Sequence, residues 1–305
     1  MNRKQVKISV QFFATLVVVM MFIGCWSRGS KPPKEEMSVN TFNNFEIYED
    51  IKQAEKIFNA LPSPFESAML IKSAGAKFDV SLLNPVSNVN KYVTTKSMAL
   101  NLGIYTCDLS FVSLYDQTQL IIDYMNAARK LADGLGILQS IDQSTIDRLE
   151  ENINNSEIIL QTVSETFMNS KSFFEDNGQP AVAAMTLVGG WIEGLYVSTR
   201  LVDMDDFDGN KILGRIIDQK LSIDILINLL EGNKGDSAVD ELIVQAQRLK
   251  VVFDKITITS SPVRPEFDAS SNSTILKSEV TTNITPEVFK ELASVVSEIR
   301  NSFIN

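Results

Sequence analysis

Apolar residues recur at helical spacing along almost the whole chain, and this periodicity limits the fold more than any other feature. Residues 45–60 carry Phe45, Ile47, Ile51, Ala54 and Ile57. Ser63-Pro64-Phe65-Glu66 then offers a helix start: Ser63 can cap, Pro64 suits the first helical position, and Glu66 can reach back to the cap amide. That helix is expected to run to about Ala74 and to stop at Gly75. Residues 76–91 read as irregular, with Asn84-Pro85 and several further asparagines.

Helices are predicted over about 92–112 and 115–135. In the second, Ile121, Tyr124, Met125, Ala128, Leu131, Ala132 and Leu135 form one apolar stripe. Gly134-Leu-Gly136 has Gln139 where a dinucleotide fingerprint needs its third glycine, so it reads as a helix stop. Ser144 can cap a short helix to about Asn154. Ser156 can cap another to Glu175, with Ile159, Val163, Phe167 and Phe174 on one side and Asn177-Gly178 ending it.

Ala181–Leu201, opened by Pro180, is the most apolar segment after the N-terminus, and Ala183, Gly190 and Gly194 would let a neighbouring helix approach closely. Glu193 and Arg200 argue for a buried central helix over a membrane span. Helices over about 211–231 and 237–257 follow. Residues 259–275 read as a long Ser- and Pro-rich loop, and 275–283 as a short strand or more loop. Thr285-Pro286-Glu287 opens a last helix, whose Phe289, Leu292, Val296, Ile299 and Phe303 alternate by three and four. No fixed-period repeat is present. The expected fold is all-α: an irregular antiparallel bundle of about nine to ten helices, possible as two packed sub-bundles with a boundary near 136–143.

The N-terminus carries a different signal. Arg3, Lys4 and Lys7 precede an apolar run, Phe12–Ile23, interrupted only at Ala14-Thr15. Phe22-Ile23-Gly24-Cys25 ends it, with a small residue directly before a cysteine. The run is too short for the roughly 20 residues of a spanning helix. This arrangement resembles the lipobox of bacterial lipoproteins, which implies a signal peptide over 1–24, lipidation of Cys25 and cleavage before it. Such proteins carry palmitate-type chains, and several chains together give stable membrane attachment. Pro32-Pro33 and the polar residues up to Asn44 read as a tether over 25–44, leaving 45–305 as the helical domain. Trp26 directly after the cysteine resembles an outer-membrane sorting signal. Lys34-Glu35-Glu36 faintly resembles a surface-export signal, though further from the cysteine than usual, so the periplasmic and surface faces both stay open.

Composition excludes several functions. Removing residues 1–24 leaves 25 basic residues against 38 acidic, a net charge of −13. That balance disfavours nucleic acid as a partner. The chain has no histidine, which removes Ser-His-Asp and Cys-His catalysis and His-ligated zinc. No Ser-x-x-Lys, Gly-x-Ser-x-Gly or phosphate loop occurs, and no motif calls for a cofactor. With Cys25 lipidated, Cys107 has no disulfide partner and reads as a buried inert thiol.

Three groups remain as candidate sites. Tyr92, Tyr105, Tyr115 and Tyr124 lie near Asn84, Asn88, Asn90 and Asn101, and aromatics beside amides can line a sugar or peptide groove. The competing expectation is that these tyrosines are core residues with their hydroxyls at the surface. Asp203, Asp205, Asp206 and Asp208 are dense enough to suggest calcium, but a twelve-residue calcium loop counted from Gly209 ends on Arg215, not a glutamate, so a solvated loop is the better reading. Asp116, Asp123, Glu193 and Asp218 lie near apolar faces. Two of them converging would suit acid–base chemistry on glycans, although no spacing singles out a pair.

The stretch from Leu61 to Phe78 resembles a group of uncharacterised lipoproteins of Bacteroidota. The likeness continues through Leu83–Tyr92 and Ala99–Tyr105 to Lys130–Asp133. It implies an envelope location and a helical fold, and it assigns no catalytic or binding residue. Taken together, the sequence points to a lipid-anchored, non-enzymatic envelope protein that binds a partner or serves an envelope complex. The alternatives are a carboxylate-based enzyme acting on glycans and capture of a small molecule between helices.

Overall fold

The computed structural model describes Lys72 and residues 77–138, 141–207, 209–260, 264–268, 273–277 and 280–305. The expected signal peptide, Cys25, the tether and nearly all of the two helices expected over 45–74 lie outside these residues. The chain divides into two compact units, 1–49 and 50–305, and the second contains everything described below.

The fold is all-α, an irregular antiparallel helical bundle. Among the described residues it comprises α1 (Thr95–Leu114), α2 (Thr118–Gly134), α3 (Gln143–Glu151), α4 (Ser156–Asp176), α5 (Pro180–Arg200), α6 (Lys211–Glu231), α7 (Ser237–Phe253) and α8 (Pro286–Ile304). Ahead of α1, the segment expected to be irregular winds into two short 3-10 helices, Val80–Leu82 and Val86–Lys91. Short connections join α1 to α2, α4 to α5 and α6 to α7, and each of these pairs packs together as antiparallel neighbours do.

Local chemistry sets most helix ends. Thr94 and Ser97 form a reciprocal capping box at α1. Asn155, Asn210, Asp236 and Thr285 each accept an amide of the first turn of α4, α6, α7 and α8, so the cap of α4 is Asn155 and Ser156 is already helical. Gly136 and Gly178 follow α2 and α4 with φ of 76° and 70°, the left-handed conformation that ends a helix most cheaply at glycine.

Two helices form the centre. Every residue of α1 from Ala99 to Leu114 is buried. Helix α5 is long and apolar enough to cross a membrane by composition, with mean hydropathy 1.3, yet 83% of that window is buried inside the fold. It is the core helix that Glu193 and Arg200 argued for. The two helices cross with their backbones in contact. A Cβ on Gly103 would lie 1.9 Å from the Thr186 carbonyl oxygen, and one on Gly189 would lie 1.9 Å from that of Leu100. Helices α2 and α4 pack on α1, α6 and α8 pack on α5, and α7 closes over α6 and α8. One hydrophobic cluster runs through all of them, from Leu83 to Ile304.

Between α7 and α8, where 259–275 was expected as loop and 275–283 as a short strand or more loop, the described residues form two antiparallel strand pairs. Strand β1 (Thr257–Ser260) pairs antiparallel with β4 (Val280–Asn283), and β2 (Arg264–Asp268) with β3 (Ser273–Lys277). Thr257-Ile258-Thr259 and Val280-Thr281-Thr282 are β-branched runs that favour extended backbone, with Ile258 opposite Thr282 and Thr259 opposite Thr281. Among the described residues β2 has a partner on one side only, where Pro265 is tolerated.

Candidate functional site

The polar interior begins with Asn84, between the two 3-10 helices and wholly buried. Its amide N–H donates to Asp108 Oδ2 at 3.1 Å, and its Nδ2 donates to Asn101 Oδ1 at 3.1 Å. Its Oδ1 accepts from Asn88 Nδ2 at 2.9 Å, and its carbonyl accepts from the Tyr124 hydroxyl at 3.1 Å. The Tyr92 hydroxyl lies 3.0 Å from Asn84 Nδ2. Every polar atom of Asn84 is thereby satisfied, as a buried amide requires.

The same cluster terminates α8. The last carbonyls of a helix have no partner within it. Asn101 Nδ2 donates to the Phe303 carbonyl at 2.8 Å, and the Tyr92 hydroxyl donates to that of Ile304 at 3.3 Å. The Tyr105 hydroxyl donates to the Pro85 carbonyl at 3.0 Å. Three of the four tyrosines therefore converge, with Tyr105 5.9 Å from Tyr124 and 6.2 Å from Tyr92 by ring centroid. The expectation that their hydroxyls lie at the surface fails, because the buried segment around Asn84 supplies partners inside the core. Burial raises the phenol pKa of all three. Tyr115 stands apart, against Phe78 and Phe111. Asn90 also lies outside the cluster and accepts from Lys130.

Beside this cluster lies an ionic one. Glu193 of α5 is 0% exposed, Asp108 of α1 0% and Arg300 of α8 5%. Arg300 donates from Nε and Nη2 to the two Glu193 oxygens, each at 2.9 Å, and its guanidinium lies 4.6 Å from the Tyr196 ring centroid. Asp108 Oδ1 has no donor facing it. Burial and the neighbouring Glu193 drive the Asp108 carboxyl well above its ordinary pKa, against the pull of Arg300. Burial also raises Glu193, with Arg300 opposing it. Two buried carboxyl groups thus share one guanidinium, and burial resists the ionisation of both, of Asp108 more than of Glu193. Burial alone would lower Arg300, but the hydrogen bonds and charge of Glu193 outweigh it and hold its pKa above the ordinary value.

The carboxylates singled out by their apolar surroundings do not converge. Asp116 is exposed and accepts from Ser156, Asp123 accepts from Gln119, and Asp218 is exposed beside Arg215. Only Glu193 belongs to a cluster, and its partner is Asp108. The signal for Asp108 was the one charge between Ala99 and Leu114, a helical stretch without a polar face that must be buried all round. Asp203, Asp205 and Asp206 are exposed, with Asp203 Oδ1 accepting the Asp205 amide, and Asp208 lies outside the described residues. Among the described residues, no group of three or more acidic or cysteine side chains is placed to hold a metal.

A cavity of about 110 Å³ lies among α1, α2, α3, α4 and α5. Leu109, Met125, Ala128, Ile146, Leu149 and Phe167 give it an apolar wall. Four of its five hydroxyls are already engaged: Thr106, Thr166, Ser170 and Thr186 each donate to the carbonyl four residues earlier, at 2.7–2.9 Å, and the fifth belongs to Thr145 of α3. At the rim stand Asn126, Arg129 and Glu150, all exposed. Neither Asp108 nor Glu193 lines this cavity. No family model, no curated protein and no solved structure matches the chain.

Proposed function

We propose that this chain is a lipid-anchored, non-enzymatic binding or accessory protein of the bacterial cell envelope, held at the outer membrane through Cys25. The observation that carries the reading is the pairing of a sealed acidic interior with an apolar cavity. The two carboxyl groups that meet, Asp108 and Glu193, are both fully buried and are held by Asn84 and Arg300. A glycosidase needs its two acids on either side of a cleft that admits sugar and water. The cavity has an apolar wall, and four of its five hydroxyls donate to helix carbonyls, which makes a surface suited to binding.

The anchor is tested by expressing the full chain in bacteria fed radiolabelled palmitate. The label is expected on the wild type and absent from Cys25→Ser. An unlabelled wild-type chain overturns the anchored reading. Hydrolysis of envelope glycans by the purified protein, lost in Asp108→Asn, overturns the non-enzymatic one.

A further inference from the structure

We propose that the cavity among α1–α5 binds the tail of a single unbranched acyl chain, taken up end-first with its polar head left at the rim. This deepens the binding reading above and rests on it. The chemistry of the wall sets the ligand class. Leu109, Met125, Ala128, Ile146, Leu149 and Phe167 offer only carbon and one thioether. Four of the five hydroxyls that line the cavity donate within their own helices, and only that of Thr145 on α3 does not, so the interior offers few donors to orient a polar ligand. Water needs two to four polar partners to be held in such a space, and the apolar wall supplies few.

Size narrows the class. An apolar cavity of about 150 Å³ stays dry and accepts a benzene ring. This one, at about 110 Å³, is smaller, so only a short apolar group fits inside it. The end of a straight hydrocarbon chain is such a group, and the rest of the chain can leave through the mouth. The rim is polar where the chain would emerge. Asn126, Arg129 and Glu150 are exposed, and neither Arg129 nor Glu150 has an ion pair among the described residues. A head group there stays hydrated beside them.

Residues 50–305 form a compact unit with its own core, which permits a test without the acylated N-terminus. Methionine methyl groups would be labelled with ¹³C and straight-chain carboxylates from butanoate to decanoate titrated in turn. The Met125 methyl is expected to shift saturably, while that of Met185, buried outside the cavity, stays fixed. Affinity is expected to rise about fourfold per added methylene and to level off once the cavity is full. Ala128→Phe, which fills the space from a half-buried position, is expected to abolish the Met125 shift. The proposal is overturned if Met125 does not respond, or if affinity climbs without levelling, as for surface adsorption. It is equally overturned if a folded Ala128→Phe chain binds like the wild type. The levelling is read on the wild type, so the test stands even if that variant does not fold. Failure here leaves the palmitate result untouched, so loss of the pocket and loss of the anchor are separate outcomes.

Discussion

Arg300 grips Glu193 with two parallel hydrogen bonds, Nε to Oε2 and Nη2 to Oε1, both 2.9 Å long and sealed from water. The contact ties the last helix to the central one across 107 residues of sequence. A paired guanidinium and carboxylate in the interior add little net stability over an apolar pair, but removing one partner strands the other. Arg300→Met is therefore expected to destabilise the fold by about 3–5 kcal/mol, measured by urea denaturation. Glu193→Gln should cost less than Arg300→Met, because the amide keeps an acceptor for Arg300 and Asp108 can give up its proton. Equal, small losses in both variants would mean that the pair does not hold α8 in place.

The Asp108–Glu193 contact makes stability depend on pH. Both carboxyl groups have raised pKa values in the fold, Asp108 most of all. In the unfolded chain an aspartate ionises near pH ~3.9. Above that pH the folded chain therefore holds a proton that the unfolded chain has lost. Stability should be greatest below about pH 4 as far as this pair is concerned, and should fall as pH rises until Asp108 ionises in place. The slope is at most about 1.4 kcal/mol per pH unit for one proton. Asp108→Asn keeps an acceptor for the Asn84 amide and a donor toward Glu193 without a titrating proton. Denaturation midpoints from pH 5 to 8 should decline in the wild type and flatten in Asp108→Asn. An unchanged decline in the variant would place the proton elsewhere.

The crossing of α1 and α5 leaves no room for a single methyl group. Gly103→Ala would bring its Cβ to 1.9 Å from the Thr186 carbonyl oxygen, and neither partner is a flexible side chain. A loss at or above the upper end of the usual ~1–3 kcal/mol for overpacking is expected in a thermal melt. Gly214, inside α6, faces open space. Gly214→Ala should stabilise by about 0.5–1 kcal/mol through helix propensity alone. The two substitutions are chemically identical, so opposite signs would isolate the packing contribution. A tolerated Gly103→Ala would mean that the helices do not touch there.

Cys107 precedes Asp108 on α1 and is buried. Burial pushes its thiol well above the ordinary pKa, and Asp108 and Glu193 push further in the same direction. The nucleophile is the thiolate, so native Cys107 should resist a maleimide for hours and react within minutes in urea. Mass mapping of the labelled peptide checks this independently of Cys25. Rapid labelling under native conditions would show that α1 is not sealed.

Much of the helical layout was legible in the linear order of residues. Thr285-Pro286 opens α8 where its cap and proline predicted, and Phe289, Leu292, Val296, Ile299 and Phe303 are all buried on its packed seam. Glu193 inside an apolar run marked α5 as buried in protein. The strand pairs were legible only in part: 275–283 read as a short strand or loop, but the Ser- and Pro-rich 259–275 read as loop, because pairing depends on a partner 5–26 residues away. The tyrosine cluster was half legible: Tyr92, Tyr105 and Tyr124 do meet near Asn84, but Tyr115 looked the same by spacing and packs elsewhere.

By itself, then, the sequence determined what depends on near neighbours: helical period, caps, glycine stops, the absence of histidine chemistry and the lipobox-like run ending at Cys25. Tertiary structure alone decided which distant groups meet. Asp108, Glu193 and Arg300 stand 85 and 107 residues apart, and each looks like an isolated charge until three helices converge. Gly103 and Gly189 look like ordinary weak points in their helices until the crossing presses backbone on backbone. The physical reason is range. A helix closes its own hydrogen bonds four residues away, so its pattern is written locally. A buried charge or a close crossing is settled only by the partner that the rest of the fold delivers.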